Sequence, residues 1–296
     1  MSTPDIANPW SASLCVLSSS SGGNCSALRL ERRGERRLIL IDAGLSPRRT
    51  RRLLRQIGEH ETPVAAVLLT HLDSDHWHES WLRLLPEPTR VLLHSRHRGR
   101  AAREGLLHGR AELFSDEFEL LEGVRISTVL MAHDEVGVAV FRIEPAGAGA
   151  LGFATDVGRA TSGLVEHLAD VDVLAIESNY CPEMQVASDR PAFLKARIMG
   201  GAGHLSNQES AEAIRRIGPR EHVVLLHLSR QCNTPETAAR VHAGWAKPIT
   251  IARPDAPTPW IPIRCPDGTT SRASRPILRT SLQAVIPDRL PFPSNA

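Results

Sequence analysis

Lysine, tyrosine and long apolar stretches are scarce in this chain of 296 residues. Tyrosine occurs once, and the three large aromatic residue types together make up 4% of the sequence. The longest apolar runs are strand-sized, such as Ala65–Leu69, whereas a membrane-spanning helix needs roughly 20 apolar residues. The first eleven residues lack the basic segment and apolar stretch of a secretory signal peptide. The sequence therefore predicts a protein without a membrane anchor or an export signal.

Cysteine is rare as well, with five residues and no Cys-x-x-Cys pair. An odd number of cysteines without paired spacing argues against a disulfide framework and against a cysteine zinc site. Free cysteines are typical of proteins in a reducing compartment. We therefore expect a cytoplasmic protein.

Positive charge comes almost entirely from arginine, because lysine occurs only at positions 195 and 247. The net charge of +2 is too small to indicate nucleic-acid binding by itself. Arginine is concentrated at 48–55 and 96–103, where guanidinium groups could follow a phosphate backbone. A GC-rich coding bias and solvated helix faces explain the same pattern, so both interpretations stay open.

Ten short runs of β-branched residues and leucine, bounded by Gly, Asp, Ser or Asn, predict strands. They are Leu14–Leu17, Ala27–Leu30, Leu38–Ile41, Ala65–Leu69, Val91–His94, Ile126–Ala132, Val138–Ile143, Leu151–Ala154, Val171–Ile176 and Val223–Leu228. The segment 48–57 predicts a helix, as do the cap signals at Ser206 with Glu209 and at Thr234 before Pro235. This alternation indicates two sheets flanked by helices within one α/β domain.

The composition changes at both ends of the chain. Residues 1–10 resemble a flexible tail, and residues 251–296 contain nine of the 21 prolines within polar sequence. Such a segment predicts an extended or partly disordered appendage. We therefore expect a catalytic domain over 11–250 and a proline-rich C-terminal extension over 251–296.

The strongest chemical signal follows the predicted strand Ala65–Leu69, where four candidate metal ligands, His71, Asp73, Asp75 and His76, fall within six residues. Extended backbone would point His71 and Asp73 to the same side, and the other two follow where the chain turns. Imidazole and carboxylate groups are ligands for zinc, manganese and iron. The stretch therefore predicts a metal site, and a polar loop with helix-capping aspartates is the alternative.

Four further candidate site residues lie at the ends of other predicted strands, namely Asp42, His133, Asp156 and His227. A single histidine at a strand end is more often a hydrogen-bonded surface residue than a ligand. The recurrence of a strand, then His or Asp, then a loop rich in Gly or Ser is more specific. We expect these strand ends to line one edge of the sheets.

The order Thr-His-x-x-x-Asp-His, a later His, a strand-end Asp and a final His resembles the metallo-β-lactamase fold. The chain is more closely similar to the YycJ/WalJ-like branch of that family, whose members look like DNA exonucleases. The stretches that carry this are Leu17-Ser-Ser-Ser-Ser-Gly-Gly-Asn24-Cys, Ile39-Leu-Ile-Asp-Ala-Gly-Leu-Ser46, Glu177-Ser-Asn179, Leu194-Lys-Ala-Arg-Ile198, Gly203-His-Leu-Ser-Asn207 and His227-Leu-Ser229 with Asn233 and Pro235. The resemblance covers residues 12–245 and implies a four-layer αβ/βα sandwich of two mixed sheets flanked by helices.

The resemblance also implies two divalent ions, of zinc, manganese or iron. The ligands carried over are His71, Asp73 and His133 for the first ion, and Asp75, His76 and His227 for the second, with Asp156 bridging. Asp73 stands where the family usually has a histidine. A carboxylate there would favour manganese or iron over zinc, or would weaken the first site until one ion binds.

The same resemblance implies which residues take part in catalysis and which support the ligands. A hydroxide between the ions would attack the phosphodiester, Asp75 would serve catalysis as well as ligation, and His204, backed by Glu177, would protonate the leaving group. Asp42 would hold the ligand loop by hydrogen bonds. Helix capping by His204 and a purely structural Glu177 are the alternatives. The substrate-binding candidates are Ser21, Gly22, Asn24 and Asn179, and the aromatic residues considered for base stacking are Trp77, Trp81 and Tyr180.

Three functions remain open at this stage. The first is a metal-dependent phosphodiesterase, an exonuclease with DNA as substrate. The second is a hydrolase of a small ester, thioester, lactone or cyclic phosphodiester on the same fold, and the third is a non-catalytic metal-binding protein. None of them requires a membrane or an obligate protein partner.

Overall fold

Two β-sheets form the centre of the protein, and a computed structural model describes residues 9–107, 111–133, 135–265 and 283–284. The strands of the first sheet are β1 (Ser11–Ser18), β2 (Cys25–Arg32), β3 (Glu35–Ile41), β4 (Val64–Leu68), β5 (Arg90–His94), β6 (Ala111–Phe114), β14 (Ile261–Ile263) and β15 (Gln283–Ala284). The strands of the second are β7 (Glu117–Leu121), β8 (Val124–Met131), β9 (Val138–Pro145), β10 (Leu151–Ala154), β11 (Val173–Glu177), β12 (His222–Leu226) and β13 (Ile249–Ile251).

Both sheets are mixed. The first has the order β14-β1-β2-β3-β4-β5-β6-β15, with parallel pairing from β3 to β6. The second has the order β13-β12-β11-β10-β9-β8-β7, with parallel pairing from β10 to β13. Because the carboxyl ends of parallel strands meet at one edge, each sheet gathers several strand ends at one place.

Side-chain alternation along the strands creates the layers. In β1, Leu14 and Val16 pack between the two sheets, whereas Cys15 and Leu17 pack beneath the helices of the first sheet. The period of two that governs a strand therefore gives the first sheet two buried faces. The second sheet is likewise covered on its outer face by a separate apolar cluster with helices. This arrangement confirms the expected four-layer sandwich of two mixed sheets flanked by helices.

Short helices connect the strands and cover the sheets. They are α1 (Pro47–Gln56), α2 (Trp81–Leu84), α3 (Arg98–Arg103), α4 (Ser162–Leu168), α5 (Pro182–Ala187), α6 (Ala192–Met199), α7 (Asn207–Ile217) and α8 (Pro235–His242), with a 3-10 turn at Ser95–His97. The helix after Ser206 has the predicted capping box and ends at Gly218, whose φ of 67° suits glycine. No helix in the described ranges is long and apolar enough to cross a bilayer.

All ten predicted strands coincide with observed strands to within three residues at their ends. Strands β6, β7, β13, β14 and β15 were not predicted, because short strands without clear alternation give a weak pattern. The predicted basic helix at 48–57 is α1, displaced by one residue.

Part of the predicted C-terminal extension belongs to the sandwich instead. Strand β14 pairs antiparallel with β1, and Thr258 Oγ1 accepts a hydrogen bond of 3.0 Å from the Val16 backbone. Ile261 and Ile263 are buried, so this proline-rich stretch gains enough apolar contact to be ordered. Trp10, assigned to the N-terminal tail, is also buried. Residues 1–8, 266–282 and 285–296 lie outside the described residues, and for them the tail and the extension stay predictions.

Candidate metal centre

Three residues at the strand ends hold a left-handed backbone conformation. Asp42 follows β3 with φ of 59°, Asp156 follows β10 with φ of 54°, and His227 follows β12 with φ of 54°. This conformation is uncommon for residues other than glycine, and each such residue costs about 1–3 kcal/mol. The described chain has only two other non-glycine residues of this kind, so the strain is concentrated at one edge of the sheets.

The loop after β4 supplies the first group of candidate ligands. Asp73 Oδ2 lies 3.7 Å from His71 Nε2 and 3.8 Å from His133 Nε2. The three ligand atoms all lie within 4.8 Å of one another. The structure therefore brings together the three residues that the resemblance implies for the first ion.

The second group forms beside the first. Asp75 Oδ2 lies 3.6 Å from His76 Nε2 and 3.3 Å from His227 Nε2. Asp156 stands between the groups, with Oδ2 at 2.7 Å from His76 Nε2, and it also clusters with His71. Asp156 therefore lies between the two groups, where the resemblance implies a bridging carboxylate.

Hydrogen bonds from the outside orient the imidazole rings. His76 Nδ1 donates to Asp42 Oδ2 at 2.7 Å, and His133 Nδ1 donates to the Gly203 carbonyl at 3.2 Å. Once Nδ1 carries the proton, Nε2 presents its lone pair to the cleft, as a metal ligand requires. Asp42 also accepts from the Thr70 backbone at 2.9 Å, so it fixes the loop as well as the ring. The donor set fits two divalent cations.

Electrostatics favour ionised carboxylates in this cluster. Burial acts to raise the pKa of Asp156, but the neighbouring His227 and His76 outweigh it and hold that pKa well below its usual range. Hydrogen bonds from His133 and then Arg100 oppose burial and lower the pKa of Asp73. Burial would lower the pKa of His76, yet Asp156 and Asp42 raise it well above its usual range. Metal binding would therefore displace protons from imidazole groups.

Asp73 has a partner that the sequence analysis did not identify as one. Arg100 Nη1 donates to Asp73 Oδ1 at 2.7 Å, and Nη2 donates to the Leu72 carbonyl at 2.7 Å. The guanidinium therefore occupies one carboxylate oxygen and leaves Oδ2 towards His71 and His133. Arg100 belongs to the segment 96–103 that was considered for phosphate binding, and this ion pair corrects that interpretation for Arg100.

His204 and Glu177 form the predicted pair. Glu177 is fully buried, and its Oε2 accepts from the Val157 backbone at 3.0 Å and from the Leu205 backbone at 3.3 Å. His204 Nδ1 donates to Glu177 Oε1 at 2.6 Å. Burial alone would lower the pKa of His204, but Glu177 and Asp156 outweigh it and raise the pKa to about 9. Both carboxylates therefore favour the protonated form of His204.

A cleft of about 380 Å³ opens onto these groups. The cleft is also lined by polar residues, namely Ser21, Asn179, Arg190, Arg197, Ser229 and Gln231. Asn24 is buried beneath the ligand loop instead, with Nδ2 at 3.0 Å from His76 Nε2 and 3.3 Å from the Asp75 carbonyl. Those contacts favour a positioning role for Asn24. Gly22 is exposed and does not line the cleft.

Comparison with known proteins agrees with this geometry. A family described as "Beta-lactamase superfamily domain" matches residues 37–228. The chain belongs to this superfamily. Its curated relatives include exodeoxyribonuclease WalJ of Streptococcus pneumoniae, 28% identical over 239 residues, and exodeoxyribonuclease YycJ of Bacillus anthracis, 26% identical over 230 residues. Each match covers 75% of this chain and 84% of the relative.

Solved structures of the superfamily show the same fold at low identity. YhfI of Bacillus subtilis superposes with a TM-score of 0.61 at 14% identity, over 83% of this chain and 99% of that one. Zinc-bound PqqB of Methylobacterium extorquens gives 0.62 at 17% identity, over 83% and 99%. The resemblance to a metallo-β-lactamase-fold protein of the YycJ/WalJ type is thus confirmed, and the chain is a hydrolase of this superfamily.

The aromatic residues considered for base stacking do not reach the cleft. Trp77, Trp81 and Tyr180 are buried, and Trp81 Nε1 donates to the Leu45 carbonyl at 2.8 Å. The cleft residue Arg190 was missed, although the segment 177–207 that carries the superfamily resemblance includes it. No spacing rule marks a single arginine in a loop, so only the tertiary structure reveals its position.

Proposed function

We propose that this superfamily hydrolase is a metal-dependent phosphodiesterase that acts as an exonuclease on DNA. The observation that carries the proposal is the His204–Glu177 pair, held at 2.6 Å beside the clustered ligands in one cleft. A hydrolase of phosphate esters needs a proton for the departing sugar oxygen, and a histidine backed by a carboxylate supplies one. The relatives named as exodeoxyribonucleases support DNA as the substrate.

Two divalent ions would occupy the cluster. His71, Asp73 and His133 would hold one ion, Asp75, His76 and His227 would hold the other, and Asp156 would contact both. When bound, such a pair supplies an activated water at neutral pH and neutralises phosphate charge. Because Asp73 adds a carboxylate oxygen to the first group, we expect manganese or iron to be preferred over zinc there.

The side chains around the ions would position the proton donor and bind the substrate. Glu177 keeps the proton of His204 Nδ1 engaged, which leaves Nε2–H as the proton for the leaving oxygen. Asp75 Oδ2 lies 3.3 Å from His227 Nε2, so both atoms could ligate the same ion. Ser21 and Asn179 line the cleft and would hydrogen-bond the substrate.

The alternative is a small substrate. A volume of about 380 Å³ lies at the lower end of the range for small-molecule pockets, so an ester, thioester, lactone or cyclic phosphodiester would also fit. A non-catalytic metal-binding role stays the third hypothesis. The cytoplasmic location, expected from the cysteines, and the lack of a membrane or an obligate protein partner stay predictions.

The first test is digestion of 5′-phosphorylated single-stranded DNA by the manganese-loaded protein. We expect release of mononucleotides, a loss of at least about 100-fold in rate for His204→Ala as the proton donor, and a comparable loss for Asp75→Asn. His60→Gln is the matched control, because His60 is exposed, and it should cleave like the wild type. If the DNA stays intact and the protein hydrolyses a small ester, the result would support the alternative function instead. Cleavage that survives Asp75→Asn would refute it.

A further inference from the structure

The segment 182–199 contains α5 and α6 and forms part of the cleft wall. Arg190, Leu194, Arg197 and Ile198 line the cleft from this segment. The His204 backbone N–H donates to the Ile198 carbonyl at 3.0 Å, so α6 is anchored directly beside the proposed proton donor. Any group on this wall that recognises a ligand would therefore act within reach of the reaction.

Arg190 is held in place by three neutral acceptors. Its Nε donates to Gln231 Oε1 at 2.9 Å, Nη1 to Gln185 Oε1 at 3.1 Å, and Nη2 to Ser229 Oγ at 3.3 Å. Gln185 is fully buried, and Ser229 lies two residues after His227. The guanidinium is thus fixed at the candidate metal centre by groups that orient it without neutralising it.

The charge of Arg190 distinguishes it from other oriented arginines of this protein. Arg100 pairs with Asp73, and Arg142 pairs with Glu144, whereas no carboxylate of the described residues forms an ion pair with Arg190. A guanidinium has five N–H donors, and the three hydrogen bonds leave one donor on each terminal nitrogen. The two remaining donors and the positive charge suit the oxygens of a phosphate.

Phe193 adds an exposed aromatic surface to the same segment. It is 75% exposed, the highest exposure among the large apolar side chains of the described residues. On α6 it lies four residues before Arg197, so the two side chains are one turn apart on the same side of the helix. Arg197 lines the cleft and Phe193 does not, so the helix places the exposed ring outside the cleft but on the same side as Arg197. An exposed ring can stack on a nucleobase.

We propose that this wall is a binding subsite for a nucleic-acid end, in which Arg190 binds the phosphate next to the cleaved one and Phe193 stacks on a base. The subsite rests on the proposed function, because its occupant is the substrate chain. This subsite would make the enzyme bind a polynucleotide more tightly than a small ester, because a small ester has neither a second phosphate nor a base.

The test is direct binding of single-stranded DNA, measured by fluorescence anisotropy with a labelled, 5′-phosphorylated hexathymidylate whose phosphorothioate linkages resist hydrolysis. Arg190→Gln should weaken binding at least tenfold, and Arg190→Lys should recover part of it because charge returns without the fork. Phe193→Ala should weaken binding about fivefold, and Phe193→Trp should bind like the wild type or more tightly.

The matched controls are Arg216→Gln and Leu84→Ala. Arg216 is exposed and donates to the Ala160 carbonyl at 3.0 Å, and Leu84 is 51% exposed; neither lines the cleft. Both controls should bind like the wild type. Unchanged binding by Arg190→Gln and Phe193→Ala, or no binding by the wild type, overturns the subsite. A wild type that binds this ligand but cleaves no ordinary DNA refutes the proposed function and leaves the subsite standing.

Discussion

Asp42 orients His76 without lining the cleft itself. Its side chain is 1% exposed and accepts from His76 Nδ1 and from Thr70. The backbone at Asp42 has φ of 59°, a conformation that aspartate and asparagine tolerate better than most residues. An asparagine at this position would therefore keep the turn and change the hydrogen bonds to the ring and to the Thr70 hydroxyl.

We expect Asp42→Asn to weaken metal binding by about 10–100-fold, as the loss of a hydrogen-bond partner behind a ligand does in other proteins. The cause is that an amide accepts a weaker hydrogen bond from Nδ1 and orients His76 less firmly. The measurement is competition for Mn²⁺ or Zn²⁺ with a chromophoric chelator. Asp170→Asn is the matched control, because Asp170 also has positive φ, at 57°, but is exposed. Equal affinities for the two variants would contradict the role of Asp42.

At the scale of an element, α4 depends on a neutral histidine. His167 Nε2 donates to the Ser127 carbonyl at 3.2 Å and thereby joins α4 to β8. Burial lowers the pKa of His167 to about 4, against an ordinary value of 6.5. The unfolded chain therefore binds a proton at this residue more readily than the folded chain does.

This difference predicts how stability depends on pH. The part of the free energy of unfolding that comes from neutral His167 is fully present above pH 6.5. It falls as the pH drops from 6.5 towards 4, because protonation then favours the unfolded state. His167→Gln keeps a donor for the Ser127 carbonyl and removes the titration. In urea unfolding, we expect this variant to lose less free energy of unfolding between pH 6.5 and 4 than the wild type. The exposed control His60→Gln should follow the wild-type curve, and identical slopes for all three proteins would contradict the prediction.

At the scale of the whole molecule, the segment after β13 supplies the edge strand β14 of the first sheet. It crosses back to β1, where β14 buries Ile261 and Ile263 in the core between the sheets. Arg49 of α1 donates to the Pro254 carbonyl and to Ser18 Oγ at 3.4 Å. One arginine of the basic helix therefore holds this segment in place, and phosphate binding by the other arginines of 48–55 stays a prediction.

Two truncations test whether β14 stabilises the protein. Removal of residues 252–296 should lower the free energy of unfolding by at least about 4 kcal/mol, because two buried isoleucine side chains leave the core and the edge of β1 becomes exposed. Removal of residues 266–296 keeps β14 and should cost much less. Urea unfolding of both chains is the measurement. If both truncations lower the free energy of unfolding equally, β14 does not contribute to stability. That result would favour the predicted domain boundary at residue 250.

The sequence by itself determined the ligand loop, ten strands and the caps of two helices, because these depend on spacing and alternation within a few residues. The pair formed by His204 and Glu177 was also accessible, through the resemblance. Sequence reasoning could not find Arg100 behind Asp73 or Arg190 beside Ser229, since these partners are 27 and 39 residues apart in the chain. Neither arginine differs locally from the many exposed ones.

Tertiary structure decided the features that depend on distant packing. Strand β14 has only three residues and a central proline, so its order comes from pairing with β1 and from burial against both sheets. Burial likewise removed Trp77, Trp81 and Tyr180 from the candidate stacking residues, whereas Phe193 is exposed. Local patterns fix which residues carry chemistry, whereas long-range contacts fix which of them face the cleft, because side-chain exposure is a property of the whole packed molecule.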